Sequence, residues 1–572
     1  MQKAQESRDL ARTLLATWHL GDGAFVQVGT DLMDNARMLE GGRFAYESDR
    51  DPYRRLAMSG RNWDDIWLID VRTGERSKVL ERVRYFYGGS PTGRYLLWFA
   101  GEDWHAYDTG TGRSVNLTAN VDADFADRSY DYPVEQLPPN GFGPAGWTEN
   151  DANVLVYDEF DAWSLALDGS GGRRLTDGAR DSTVYRYQRL DREERWIDLS
   201  KPVWYSLQGE WSKKYGYALQ RPGRTPERVL FEDASIGRLT RADSADVYVF
   251  TREDFDDSPD LFAGGPDLAA ARQMSETNPF QADFAWGHSE LVEFTSQTGR
   301  RSQAALLYPA NWDPSRRYPM IVYTYEILSN GVHRYTVPTE RSYYNYAVWT
   351  AQGYFVLMPD IVYRPRDPGR SAVEAVVPAV QSIVDKGLVD PARVGLIGHS
   401  WGGYQAAYIP TQTNIFAASV AGAPITDFVS FPGTIHWNPG LPELEHWETG
   451  QGRMDVPPWE DFEAHVRNSA TAFIDRLETP MLVEVGDADG VVEHHQGIEY
   501  YNFARRIGNP DFVLLLYPDE DHGLRQKQNQ IDYHHRILQW FGHWLKGEEA
   551  PEWITHGVSW LDRKKALEGT GR

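Results

Sequence analysis

The chain has 572 residues, more than one ordinary domain holds, with 41% hydrophobic and 25% charged residues, the balance of a globular rather than a disordered protein. A formal net charge of −25 repels phosphate backbones and argues against a general nucleic-acid binder. The absence of cysteine removes disulfides, thiolate zinc sites and cysteine nucleophiles together, without fixing the compartment.

The opening stretch, MQKAQESRDLARTLLATWHL, has no basic patch followed by an apolar run, so it does not read as a signal peptide. No apolar run reaches the roughly 18 residues of a membrane span. A cytoplasmic location fits, as does a periplasmic or secreted one if the chain is the later part of a longer protein. Residues 1–35 are set apart as an N-terminal segment.

Over 36–285 short strand-like runs alternate with turn clusters. Asp65-Ile66-Trp67-Leu68-Ile69-Asp70 runs into Thr73-Gly74-Glu75, and Tyr95–Ala100 into Gly101-Glu102-Asp103. The phrases DIWLIDVRTGERSKVL, DWHAYDTGTGRSVNLT and DAWSLALDGSGGRRLT share one skeleton: Asp, aromatic, alternating strand, glycine turn, closing strand. A repeat of about 40 to 50 residues with that skeleton predicts β-propeller blades. Weaker copies around Trp204–Leu230 and Tyr248–Met274 bring the count to about five blades, a small or incomplete ring. An incomplete ring would expose strand edges and favour a homo-oligomer.

Residues 286–550 change texture. Strands are predicted at Met320–Tyr323, Tyr354–Met358, Val394–Gly398, Ala417–Ala421, Met481–Gly486 and Phe512–Tyr517. Helices are predicted at Ala372–Lys386, with Pro378 a potential kink, after Gly402, at Gly497–Ile507 and at Ile531–Leu545. The alternation implies an α/β-hydrolase-like, doubly wound and mostly parallel sheet, followed by a C-terminal tail at 551–572.

The most specific motif is Gly398-His399-Ser400-Trp401-Gly402, a G-x-S-x-G between a strand and a helix. Such a turn exposes the serine hydroxyl, and the helix N-terminus favours negative charge beside it. The Trp401 amide is a candidate oxyanion donor. A serine hydroxyl needs a general base and a carboxylate to orient that base, in the chain order Ser, acid, His. His522, after the last strand, is the candidate base. His494, His495, His534 and His535 fit packed or solvated positions better, and His399 is too near the serine. Asp487 and Asp489 both occupy the right loop, and position alone does not separate them.

Together GHSWGGY, the loop from Gly486 and YPDEDHG resemble the prolyl oligopeptidase family of serine peptidases, whose members join a β-propeller to an α/β-hydrolase domain. The resemblance implies Asp489 as the acid, through the frame Gly486-x-x-Asp489-x-x-Val492. It implies Tyr325, at the end of Tyr318–Tyr325, as a second oxyanion donor, with Tyr323 the alternative. Phe428 and Phe431 match positions that line the pocket for the residue before the scissile bond, or else are core. Family members usually continue after the tyrosine with a Gly-Gly-Pro-like turn, and here Glu326-Ile327-Leu328 stands instead. Glu326 is expected either to bind a peptide's α-ammonium or to pair with an arginine such as Arg334 or Arg364. The family's propellers usually carry more blades than are counted here.

The expectation is a serine peptidase acting on oligopeptides, with an aminopeptidase or dipeptidyl-peptidase bias. It needs no metal and no organic cofactor, as no H-E-x-x-H, Walker or dinucleotide fingerprint is found. An esterase with the same triad and a propeller scaffold with an idle hydrolase domain are the alternatives. Because His522 must be neutral to act, activity is expected to fall on acidification.

Overall fold

A computed structural model describes residues 2–30, 36–128, 137–559, 561–562 and 564–565. Parts of the N-terminal segment and of the C-terminal tail therefore lie outside the described residues. The chain divides into two units. One comprises Gln2–Glu253 and Pro259–Thr277; the other includes Asp254–Ser258 and Asn278–Arg572.

In the first unit the alternating apolar pattern becomes antiparallel strands paired with their sequence neighbours. Arg37–Met38, Phe44–Asp49, Asp64–Asp70 and Arg76–Val83 make one sheet, and Tyr85–Gly89, Tyr95–Ala100, Asp103–Asp108 and Arg113–Asn116 the next. A third spans Pro144–Arg174 and a fourth Thr183–Glu232, each of four strands, and a fifth spans Ser235–Gln273 with five. A two-stranded hairpin, Ala16–His19 with Ala24–Gln27, precedes them.

Strand alternation explains how these sheets pack. In Asp103–Asp108 every second residue is buried, starting at Trp104. Leu96 and Trp98 share a buried cluster with Ile66 and Leu68 of the sheet before. Leu97 and Phe99, on the opposite face, join Val154, Val156 and Leu165 of the sheet after. Leu155 and Tyr157 then meet Tyr185, Val203 and Tyr205, and Trp204 and Leu219 meet Tyr248 and Phe250. Successive sheets are thus joined face to face, each junction filled by the alternate residues of two neighbouring sheets.

The Asp that opens two of the three phrases, Asp103 and Asp161, has a physical role that Asp260 of the last sheet shares, whereas Asp65 of the first phrase accepts from Tyr53, Lys78 and the Arg82 amide. Thr118 Oγ1 donates to Asp103 at 2.6 Å and accepts from the Trp104 amide at 3.1 Å. Thr176 does the same for Asp161 and the Ala162 amide, at 2.6 and 3.0 Å. Ser275 repeats it for Asp260 and the Leu261 amide, both at 2.8 Å. In all three the partners are 15 residues apart, so one clip ties a strand, at its start for Asp103 and Asp161 and within it for Asp260, to the chain leaving its neighbour.

The second unit is built on an eight-stranded mixed sheet. We number its strands β1 (Ser289–Thr295), β2 (Arg301–Leu307), β3 (Tyr318–Tyr323), β4 (Phe355–Pro359), β5 (Val389–His399), β6 (Ala418–Gly422), β7 (Met481–Gly486) and β8 (Phe512–Tyr517). Their spatial order is 1-2-4-3-5-6-7-8. Strands β3 to β8 run parallel, while β1–β2 and β2–β4 pair antiparallel.

Both faces of this sheet are covered, which is why its strands read as continuous apolar runs. Met320 and Val322 face Ala375, Val376, Ala379 and Ile383 of the helix Pro368–Asp385. Ile321, Ile397 and Leu482 face Tyr533, Ile537, Trp540 and Phe541 of the helix Lys527–Lys546. The first of these helices starts at Pro368, earlier than expected. Proline suits that first position, where no intrahelical donor is needed, and the helix continues through Pro378 to Asp385. Among the described residues no helix is long and apolar enough to cross a membrane.

Candidate active site

Strand β5 ends at His399 and a helix, Trp401–Tyr408, begins at once. Ser400 is left between them with φ 59° and ψ −117°, a conformation L-residues rarely adopt. Its amide donates to the Gly422 carbonyl at 2.8 Å and its carbonyl accepts from Tyr404 at 2.8 Å. Glycine is required on either side. A Cβ on Gly398 would collide with the Gly402 backbone, and one on Gly402 with the Thr324 carbonyl. Trp401 is the first helical residue, so its amide lies among the helix's unpaired donors.

The loop after β7 carries Asp489 and the loop after β8 carries His522. Asp489 Oδ2 lies 2.9 Å from His522 Nδ1, with the Asp489 side chain only 1% exposed and that of His522 21%. The other oxygen, Oδ1, accepts from the amides of Val491 and Val492 at 2.7 and 2.9 Å. Asp487, by contrast, accepts from the Asp519 amide at 2.7 Å. Asp521 joins the two loops, its Oδ1 accepting from Gly490 at 2.9 Å and from His522 at 2.8 Å. Burial opposes its charge, but those two amides and Arg525 hold the carboxyl below its usual range.

Beneath His522 lies a buried polar layer. The His399 ring is 4.9 Å from that of His522, and its Nδ1 is 3.4 Å from the Tyr344 hydroxyl, which in turn is 3.2 Å from that of Tyr533. Burial, and secondarily the neighbouring His522, push His399 down to about 3, so its imidazole is neutral. Glu484 of β7 reaches the same layer. Burial, then the charges of Asp489 and Glu520, push its carboxyl up to about 8.

Tyr325 follows β3. Its ring comes within 3.4 Å of the position a Cβ on Gly402 would take, beside the Ser400 turn. Its carbonyl accepts from Tyr363 Oη at 2.7 Å and from Gln405 at 2.6 Å, and its hydroxyl accepts from Gln451 Nε2 at 3.2 Å. Tyr323 instead packs on Tyr344 and Tyr346, with ring centroids 6.1 and 5.2 Å away.

Glu326 is ion-paired to Arg453 at 2.9 Å and accepts from Gln451 at 3.3 Å. Arg453 is fully buried, with its guanidinium 4.0 Å from the centre of the Tyr363 ring. The carboxylate expected to meet a peptide ammonium is therefore already matched by a cation, and that cation is neither Arg334 nor Arg364; Arg364 pairs with Glu374. Phe428 and Phe431 are likewise fully buried. Phe428 packs on Tyr404 and Trp447 with ring centroids 4.5 and 4.2 Å away, and Phe431 on Trp447 at 5.3 Å. Both are packed among buried aromatic rings.

Sequence motifs do not point to Arg453, Gln451, Tyr363 or Glu484. The only signal for Glu484 is a charged residue within an otherwise apolar strand, Met481–Gly486, every residue of which is buried.

Residues 341–548 match a family model described as the prolyl oligopeptidase family. Dipeptidyl-peptidase 5 of Porphyromonas endodontalis is 25% identical over 319 residues, covering 49% of this chain and 44% of the relative. The acylamino-acid-releasing enzyme of Mus musculus is 27% identical over 252 residues, covering 42% and 33%. The aligned regions thus span less than half the length of these relatives. A puromycin-hydrolyzing peptidase of Mycobacterium tuberculosis superposes with TM-score 0.63 at 16% identity, over 93% of this chain and 83% of the other. Porphyromonas gingivalis dipeptidyl peptidase 4 gives 0.52 at 14%, over 93% and 94%. At such identities the likeness is one of fold.

Proposed function

We propose that the chain is a serine peptidase that cleaves peptide bonds of oligopeptides by acyl transfer to Ser400, a reading supported by the match of residues 341–548 to the prolyl oligopeptidase family. The observation that carries the reading is the 2.9 Å contact of Asp489 with His522 Nδ1, whose ring lies 4.9 Å from that of His399, the residue before a serine held at φ 59° in a G-x-S-x-G turn. Asp489 accepts from Nδ1–H and so leaves the lone pair on Nε2 of His522. That lone pair takes the Ser400 proton as Oγ attacks the carbonyl carbon.

The Trp401 amide and the Tyr325 hydroxyl serve as donors to the tetrahedral oxyanion. As the intermediate collapses, His522 gives the proton to the departing amine and the acyl-enzyme remains. Water, deprotonated by the same imidazole, releases the acid. The five sheets of the first unit, each packed on the next, are proposed to be propeller blades. The names of the relatives, dipeptidyl-peptidase and acylamino-acid-releasing enzyme, favour substrates cleaved near the N-terminus.

Labelling with a fluorophosphonate tests this. The label is expected on Ser400, and Ser400→Ala is expected to lose it and to lower kcat by about 10⁴-fold or more. Peptide anilides with free and with acetylated N-termini, run beside a p-nitrophenyl ester, then report the preferred substrate. An unlabelled Ser400 in folded protein would overturn the proposal.

A further inference from the structure

Between β6 and β7 the chain makes a long excursion containing a cluster that the proposed chemistry does not use. Strands Ile435–His436 and Leu441–Pro442 pair as a short hairpin with His436 opposite Leu441. The helix Leu444–Glu448 follows directly. The turn and helix bring His436, Glu443 and His446 together, with one ligand-capable atom of each within 4.8 Å of the others.

The cluster is held from several sides. The Glu443 amide donates to the Thr434 carbonyl at 3.1 Å, and its carbonyl accepts from Trp447 at 2.8 Å. At the hairpin tip the Asn438 amide donates to the Gly490 carbonyl at 3.1 Å, next to Asp489.

Glu443 is fully buried. Its Oε2 lies 2.9 Å from His446 Nδ1 and its Oε1 3.2 Å from His436 Nδ1. Yet Oε1 accepts no hydrogen bond among the described residues, so His436 comes near without aligning an N–H on it. A buried carboxylate oxygen without a donor is costly, and a cation shared with the two imidazole nitrogens would satisfy it. An outer partner is also present. His446 Nε2 is 3.2 Å from Gln451 Oε1, an acceptor that favours a proton on Nε2, so that Nδ1, which meets Glu443 Oε2 at 2.9 Å, can turn its lone pair to a cation bound between them.

We propose that His436, Glu443 and His446 form a site for a divalent transition-metal cation. Zn²⁺ is the best match to two imidazoles and one carboxylate. The two histidines are half-buried, so a further coordination position can remain open to water. The metal is no participant in the acyl transfer. Gln451 also donates to Tyr325 and to Glu326, which puts the site one side chain from the proposed oxyanion donor.

Equilibrium dialysis of the full chain against Zn²⁺, with the bound metal counted by mass spectrometry, tests the proposal. One ion per chain is expected to depend on this cluster. His436→Ala removes a half-buried ligand on a hairpin and is expected to abolish that binding while melting like the wild type. Glu443→Gln, similar in shape, is expected to weaken it strongly. Gln451→Leu is expected to cost about 10–100-fold in affinity, as loss of an outer partner does. A double His494→Ala, His495→Ala variant is expected to bind as the wild type does.

Co²⁺ in place of Zn²⁺ should give visible bands that His436→Ala removes. Failure of the wild type to retain Zn²⁺, or retention unaffected by both His436→Ala and Glu443→Gln, would overturn the site. In that case Glu443 serves as an ion-pair partner of the two imidazoles. Binding is read directly, so the outcome is independent of whether Ser400 is a nucleophile.

Discussion

Asp489 and Asp487 are two residues apart, and only Asp489 meets the imidazole of His522. Asp489→Asn is expected to lower kcat about 10⁴-fold, because an amide no longer selects the imidazole tautomer with a free Nε2. Asp487→Asn is expected to stay within a few-fold of wild type on the same peptide anilide. Equal losses from both would argue that loop architecture, not the hydrogen bond, is what matters.

Glu484 makes a second prediction at this scale. Its carboxyl is pushed from 4.5 up to about 8 in the folded chain, so the folded state holds a proton that the unfolded state releases. Stability from this group therefore declines as pH rises from about 4.5 towards about 8. Glu484→Gln, neutral throughout, is expected to gain stability over the wild type by up to a few kcal/mol near pH 8 and little near pH 5. Thermal melts of both proteins at the two pH values measure it, and a difference that does not grow with pH would contradict it.

The residues proposed to carry the chemistry lie on local signals in the sequence. Ser400 has its glycines, and His522 follows the last strand. Arg453, Gln451 and Tyr363 carry no such signal. Arg453 and Gln451 take their roles from an excursion of the chain that folds back to Tyr325 and Glu326, just after β3, a non-local contact that spacing does not encode.

Among the elements, the 15-residue clips explain why the Asp recurs in two of the first-half phrases, at Asp103 and Asp161, while Asp65 in the other phrase meets Tyr53, Lys78 and Arg82 instead. Asp161 is fully buried and accepts from Thr176 Oγ1 and from the amides of Gly178 and Ala179. Asp161→Ala would strand those donors and is expected to cost about 3 kcal/mol, read from denaturant unfolding. A cost below about 0.5 kcal/mol would mean that water replaces the carboxylate without penalty.

Strand positions in the second half read closely because burial on both faces leaves long apolar runs. Strand ends read less well. β5 begins at Val389 rather than Val394, since Asp390, Pro391, Ala392 and Arg393 break the apolar run without breaking the strand.

For the whole molecule, the charge of −25 is the property that composition alone supplies. Self-repulsion among excess carboxylates opposes the compact state and is screened by salt. The melting temperature is expected to rise by a few degrees between about 0.01 and about 0.15 M NaCl, as the screening length falls from about 30 to about 8 Å. A fall would show that the chain's ion pairs outweigh its net repulsion. Two textures along the sequence announce two units, but not that the short segment Asp254–Ser258 is grouped with the second. Phe255 shows why: it lies in the same buried cluster as Ile321 and Trp540, a destination invisible in a turn between two strands.

The order of pieces along the chain bears on biosynthesis. Each sheet of the first unit pairs contiguous strands and can form as its stretch leaves the ribosome. The second unit's sheet cannot be finished until β8 is made, and the proposed base lies beyond even that strand. If Ser400 and His522 act as proposed, a nascent chain displaying the Ser400 turn still lacks its proton acceptor, so hydrolytic power switches on only after the segment beyond β8 has been made.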